Sequence, residues 1–176
     1  MRKYLTVISL LIMSGYVFAL AISWRIGEGY QIRFDGKYAH GSFQKMEGNI
    51  RFDPANPVAA QFDVFVDVAS IDTGIELKNK HARSDKWFDA EQYPRIHFVS
   101  KAVSRTDTGF VVRGDLDLKG ITREIAIPFA FRSEAGRHVF YGKFKVNRGD
   151  FGIGKTSGKD SDSTAVEVTV PVLSMD

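Results

Sequence analysis

The amino-acid sequence predicts an all-β protein, a single eight-stranded antiparallel up-and-down barrel closed around an apolar interior. Three observations carry that expectation. Apolar and polar residues alternate with a period of two from residue 30 onward, turn residues cut the alternation into eight runs, and one stretch, about 74–91, has helical spacing instead.

The chain has 176 residues, and its first 21 read as a targeting segment. Arg2 and Lys3 precede an apolar run from Leu5 to Leu20, and Ala19 and Ala21 have the A-x-A spacing of a signal-peptidase site. Cleavage after Ala21 is expected, leaving residues 22–176 as one domain. The alternative is an uncleaved N-terminal membrane anchor, because the apolar run is close to the shortest that spans a bilayer. Both readings place the domain outside the cytosol, periplasmic or secreted.

The first run has Tyr30, Ile32, Phe34 and Tyr38 on one face, and the second, less regular, extends from Phe43 to Phe52. Phe62, Val64, Val66 and Val68 form the third, and Ile96 to Val103 the fourth. Phe110, Val112, Leu116 and Leu118 share a face in the fifth, and Ile125, Ile127, Phe129 and Phe131 in the sixth. Phe140, Phe144 and Val146 mark the seventh, and Val166, Val168, Val170 and Val172 the eighth. Strands with one apolar face and short connections make an antiparallel sheet buried on one side. Closing that sheet removes its edges and puts every apolar face inside.

Within residues 74–91, Glu76 and Lys80 have helix-pair spacing and Ile75, Leu77, Ala82, Trp87 and Phe88 supply an apolar stripe. One or two short helices covering a barrel mouth are expected there. The stretch from Gly149 to Thr164, rich in Gly, Ser, Lys and Asp, reads as a mobile loop.

Composition narrows the function classes. With 44% hydrophobic and 26% charged residues the chain is globular in type, and of its net charge of +3, Arg2 and Lys3 supply two. So small an excess is no footprint for nucleic acid. The absence of cysteine excludes a disulfide framework and a catalytic thiol. His40, His81, His97 and His138 are not spaced as metal ligands, so no metal site is expected. Gly149, Gly154, Lys155 and Thr156 match the phosphate-loop spacing. The residues that follow lack helical period, however, and a phosphate loop needs a helix N-terminus at the anion, so no nucleotide partner is expected. Ser70, Ser84, Ser100 and Ser104 have no nucleophile-elbow context, and no catalytic constellation stands out.

The candidate site is the barrel interior. Small residues fall on the inward face at Gly36, Gly48, Gly114, Gly142, Ala60, Ser100 and Ala102. In an eight-stranded barrel missing volume of this kind leaves room for one ligand, although strand glycines also mark bulges and bends. An interior lined by Phe, Val, Ile and Leu suits a long hydrocarbon, each buried CH₂ contributing about 0.8 kcal/mol. Beside the expected mouth, Lys78, Lys80, His81, Arg83 and Lys86 form a basic cluster next to Trp87 and Phe88. It reads either as a solvated helix face or as a contact for an anionic lipid head group.

A family resemblance gathers these features. Gly48-Asn49-Ile50-Arg51-Phe52-Asp53-Pro54, Ser70-Ile71-Asp72-Thr73-Gly74, Ser84-Asp85-Lys86-Trp87-Phe88-Asp89, Tyr93-Pro94-Arg95-Ile96-His97-Phe98-Val99-Ser100 and Asn147-Arg148-Gly149-Asp150-Phe151-Gly152-Ile153 occur in family order. Together with Gly41-Ser42-Phe43, His81, Gly114-Asp115-Leu116 and Gly120-Ile121-Thr122-Arg123, they resemble the YceI-like family of polyisoprenoid-binding proteins. The chain departs from the family pattern at Asn79, Ala82 and Asp117, where Asp, Leu and Thr are usual.

The resemblance implies a lipocalin-like barrel that holds a long isoprenoid chain, a polyprenyl phosphate or a quinone tail, with no other cofactor. The expected lining is Phe62, Val64, Val66, Phe98, Val112, Gly114, Leu116, Ile125, Ile127, Phe129, Phe140, Gly142 and Phe144, with Lys80, His81, Arg83 and Trp87 near the head group. The expected function is non-enzymatic storage or transport of that lipid, with transient membrane contact. A second reading is an envelope stress or interaction protein with a filled core. A third is an enzyme acting on a lipid, for which Ser100 or Tyr38 would carry the chemistry.

Overall fold

The computed structural model describes residues 22–134, 136–157 and 162–175, so the targeting segment and residues 158–161 of the loop expected to be mobile lie outside the described residues. Among the described residues eleven strands and one α-helix follow in chain order: β1 (Ser23–Ile26), β2 (Gln31–Asp35), β3 (His40–Phe43), β4 (Met46–Arg51), β5 (Gln61–Asp67), β6 (Ile71–Asp72), α1 (Glu76–Arg83), β7 (Arg95–Thr106), β8 (Gly109–Leu118), β9 (Ile121–Glu134), β10 (Arg137–Asn147) and β11 (Ser163–Ser174).

Neighbour pairing in the order β1-β4-β5-β7-β8-β9-β10-β11 and back to β1 closes a ring of eight antiparallel strands. Closure runs through Trp24, which lies opposite Ile50 on one side and Ser174 on the other. β2 and β3 pair with each other, and β2 also pairs with the first half of β11, so they continue the paths of β1 and β4. Both paths are bent at the same height. The Tyr30 hydroxyl pins the bends together, accepting from the Met46 amide at 2.9 Å and donating to the Gln44 carbonyl at 3.1 Å.

The eight runs read from sequence therefore correspond to eight strand paths, with differences. The run from Phe43 to Phe52 ends a longer path that turns between β3 and β4, and β1 precedes the first run. Tyr38 belongs to the β2–β3 turn and not to a strand. In β8 the alternation is carried through: Phe110, Val112, Gly114, Leu116 and Leu118 are buried while Arg113 between them is exposed. In β7 it is not. The register against β8 shifts between Ser100 and Ala102, and this bulge turns Ala102 to solvent and Val103 inward, which corrects the expected inward placing of Ala102.

Of the expected helical stretch only Glu76–Arg83 is helix; hydrogen-bonded turns continue through the Gln92 and Tyr93 amides to the Asp89 carbonyl. The expected apolar stripe is also corrected. Ile75 and Leu77 are 49% and 64% exposed, and the residue α1 buries is Asn79. Its amide oxygen accepts from the Thr73 amide and hydroxyl at 2.8 and 2.7 Å, which ties the helix start to the end of β6. Ala82 and Phe88 supply the apolar anchor, packing on Ile32, Phe43 and Ile71.

Candidate functional site

The two halves of the barrel are filled differently. The end holding the β7–β8 and β9–β10 turns is packed with rings. Phe52, fully buried, meets Phe62, Phe110, Phe129, Phe131 and Phe140 at centroid distances of 5.0–6.2 Å, and Trp24 closes the layer, its indole N–H donating to the Phe52 carbonyl at 2.8 Å. Above this plug lies a cavity of about 390 Å³, within the range of about 300–1,000 Å³ typical of small-molecule sites.

Phe62, Phe129 and Phe140 belong to both, and form the cavity floor. Val64, Val66, Phe98, Val112, Leu116, Ile125, Ile127, Gly142 and Phe144 stand on its wall. So do Ile32, Phe34, Ile96, Val166 and Val168, which occupy the same alternating face of their runs. Lys37, Tyr38, Thr73, Lys78 and His81 border the cavity at the opposite end from the plug. Lys78, His81 and Tyr38 are exposed there, so this rim is the mouth.

Gly114 is not on the wall, and the physical reason is close packing. A Cβ there would strike the Val99 carbonyl oxygen and come within 2.8 Å of the Phe98 ring, at the β7 bulge. Gly48 is similar, with φ of +146° and the Asp63 carbonyl and Val64 Cα against its missing side chain. These two glycines let neighbouring strands approach, while Gly36 and Gly142 do border the cavity. Ser100 is also engaged locally, its Oγ accepting from the Phe62 amide at 2.8 Å.

The residues expected at a head group separate in the same way. His81 and Trp87 line the mouth. Lys80 does not, because it lies on the solvent face of α1, and Arg83 is bound to Glu76 at 2.5 Å and faces the Ala69 carbonyl. The expectation that Arg83 is available to a ligand is corrected by that ion pair. Lys78, three residues and so about one helical turn before His81, takes the position instead.

Arg148 is a buried cation at the rim, absent from the residues expected at the head group. It is 7% exposed, and its guanidinium donates to Ile153 and Lys155 carbonyls and to the Asp162 carboxylate at 2.9–3.1 Å. One face lies 4.6 Å from the Tyr38 ring centroid, with Trp87 at 5.9 Å. The segment matching the phosphate-loop spacing thus begins as a 3₁₀ turn, Arg148–Phe151, wrapped around this arginine. It docks on the α1 side, where the Gly154 amide donates to the Lys86 carbonyl.

A closed eight-stranded antiparallel barrel, hollow in one half and opening beside a single helix, is the architecture of a lipocalin-like binding barrel. The YceI-like domain model matches residues 24–173, and the chain belongs to the YceI-like family. A UPF0312 protein of Pseudomonas syringae pv. tomato is 34% identical over 139 residues, covering 75% of this chain and 72% of that one. A UPF0312 protein of Photorhabdus laumondii is 34% identical over 100 residues, which is 56% of this chain and about half, 52%, of the relative. Among solved structures, Burkholderia cenocepacia BcnA is similar with a TM-score of 0.75 and 26% identity, over 81% of this chain and 95% of that one. A polyisoprenoid binding domain from Saccharophagus degradans, implicated in plant cell wall breakdown, shares the fold at a TM-score of 0.62 and 14% identity, over 88% and 99% of the two chains.

Proposed function

We propose that the protein is a non-enzymatic carrier or reservoir that holds a long-chain isoprenoid lipid, a polyprenyl phosphate or a quinone-type molecule, in the hollow half of the barrel. The observation that carries this reading is the apolar cavity of about 390 Å³ with a floor of three phenylalanines and one open end. A chain inserted there leaves water along its length, and with about 0.8 kcal/mol per CH₂ a long chain binds without a directional motif. The likeness in fold to a domain described as polyisoprenoid-binding supports the same class of ligand.

Binding rather than catalysis is supported by the state of the two residues best placed for lipid chemistry. The Ser100 oxygen accepts from a backbone amide, and the Tyr38 ring lies against the Arg148 guanidinium and edge to face with Trp87 at the rim. The signal-like segment of residues 1–21 supports a periplasmic or secreted location.

The test is native mass spectrometry of protein purified from its own cell envelope, beside Val64→Phe, which adds bulk to the wall. A prenyl-lipid mass increment that Val64→Phe reduces is the expected result. Repeated recovery without lipid, and equal uptake of a long prenol by both proteins, would overturn the reading.

A further inference from the structure

The solvent face of α1 carries cations around an exposed apolar side chain. Going round the helix from the side away from the barrel towards the mouth, it carries Lys80, Leu77, His81 and Lys78. The one carboxylate of the helix, Glu76, is taken by Arg83. Lys78 and Lys80 have no ion-pair partner among the described residues, and neither does Lys37 across the mouth; on the barrel wall Lys45, Lys101 and Lys143 are each paired with a carboxylate, while Lys145 on β10 is not. Leu77 stands 64% exposed among these cations.

We propose that the mouth end docks on an anionic lipid surface, with Leu77 entering the interface and Lys78, Lys80 and Lys37 facing the phosphates. Unpaired cations around an exposed apolar side chain complement such a surface, each lysine near it adding to the attraction. Continuity supports the same occupant. The rim leads straight into the apolar cavity, so a hydrocarbon passing between bilayer and barrel avoids water only if the mouth faces the membrane. The opposite pole also exposes apolar residues, Val58 at 81% and Met175 at 66%, but they surround the aromatic plug and no opening.

Vesicle co-sedimentation tests the docking, using equal parts phosphatidylglycerol and phosphatidylcholine beside phosphatidylcholine alone. The protein is expected to bind the mixed vesicles, to release as salt rises, and to bind the neutral ones far less. Lys80→Glu is expected to weaken partitioning about 5- to 30-fold, the effect of reversing one charge near the surface. Leu77→Asp should weaken it comparably. Neither residue borders the cavity, so both variants are expected to take up a long prenol from detergent micelles like the parent, which also shows that they fold. Arg137→Glu, the same charge change at the plugged pole, should leave sedimentation unaltered. Equal binding to neutral vesicles, indifference to Lys80→Glu and Leu77→Asp, or a loss caused by Arg137→Glu would overturn the proposal. Prenol uptake that fails while anionic vesicles are still bound would overturn the cavity reading and leave the docking in place.

Discussion

One strand architecture supports two opposite interiors. In the plugged half, six phenylalanines and Trp24 form one cluster, in which Phe52 meets Phe110, Phe129, Phe131 and Phe140 edge to face. In the hollow half the inward positions are mostly valine and isoleucine, which reach less far from the same barrel radius, and about 390 Å³ is left unfilled. Stability is thereby concentrated at one end and ligand space at the other. A binding barrel needs this division, since an empty cavity forfeits the dispersion contacts that a filled core makes.

The largest effect that can break this comparison is Phe52→Ala. It removes the centre of the plug and should cost about 3–5 kcal/mol, read as a lower urea midpoint with unchanged slope. Gly114→Ala comes next, at about 1–3 kcal/mol, because its Cβ has no room against the Val99 carbonyl; a neutral result would mean that the β7 bulge can relax. Phe144→Ala sharpens the contrast. Its ring borders the cavity, so truncation should cost only about 1–2 kcal/mol, while enlarging the space available to a prenol. If Phe144→Ala destabilises as much as Phe52→Ala, the two halves are equally packed.

The smallest effect belongs to the outer wall. Hydrogen bonds to Asp115 and Glu124 hold the Lys101 ammonium above its ordinary value of 10.5. A group whose pKa is raised on folding stabilises fully below the unfolded value and loses that contribution as pH rises through the folded one. Lys101→Met should therefore lower the urea midpoint slightly at neutral pH, and the gap to the parent should close as pH climbs beyond 10.5. Exposure of about half of the Lys101 side chain keeps the effect small.

Much of the fold was legible because period-two alternation is a local signal. The inward faces of β5, β8, β9, β10 and β11 could be read residue by residue, and with them most of the cavity wall. Elsewhere the signal failed for identifiable reasons. The β7 bulge reversed the phase after Ser100, which no pattern of side chains announces. Gly48 and Gly114 looked like missing volume, but each is filled by the backbone of the adjacent strand. Ile75 and Leu77 looked like a buried stripe because a short helix with Asn79 as its inward residue inverts the usual polarity. Arg148 could have been noticed as the only arginine beside the Asp150-Phe151-Gly152 turn, but its partner Asp162 lies across a loop.

By itself the sequence determined that the protein is an antiparallel barrel with eight strand paths and an apolar interior, since alternation and turn residues act between neighbours in the chain. Where the interior is solid and where it is hollow was decided only by the tertiary structure. Ring contacts in the plug join Phe52, just after β4, to residues from β1, β5, β8, β9 and β10, and the cavity is the space that those contacts do not reach.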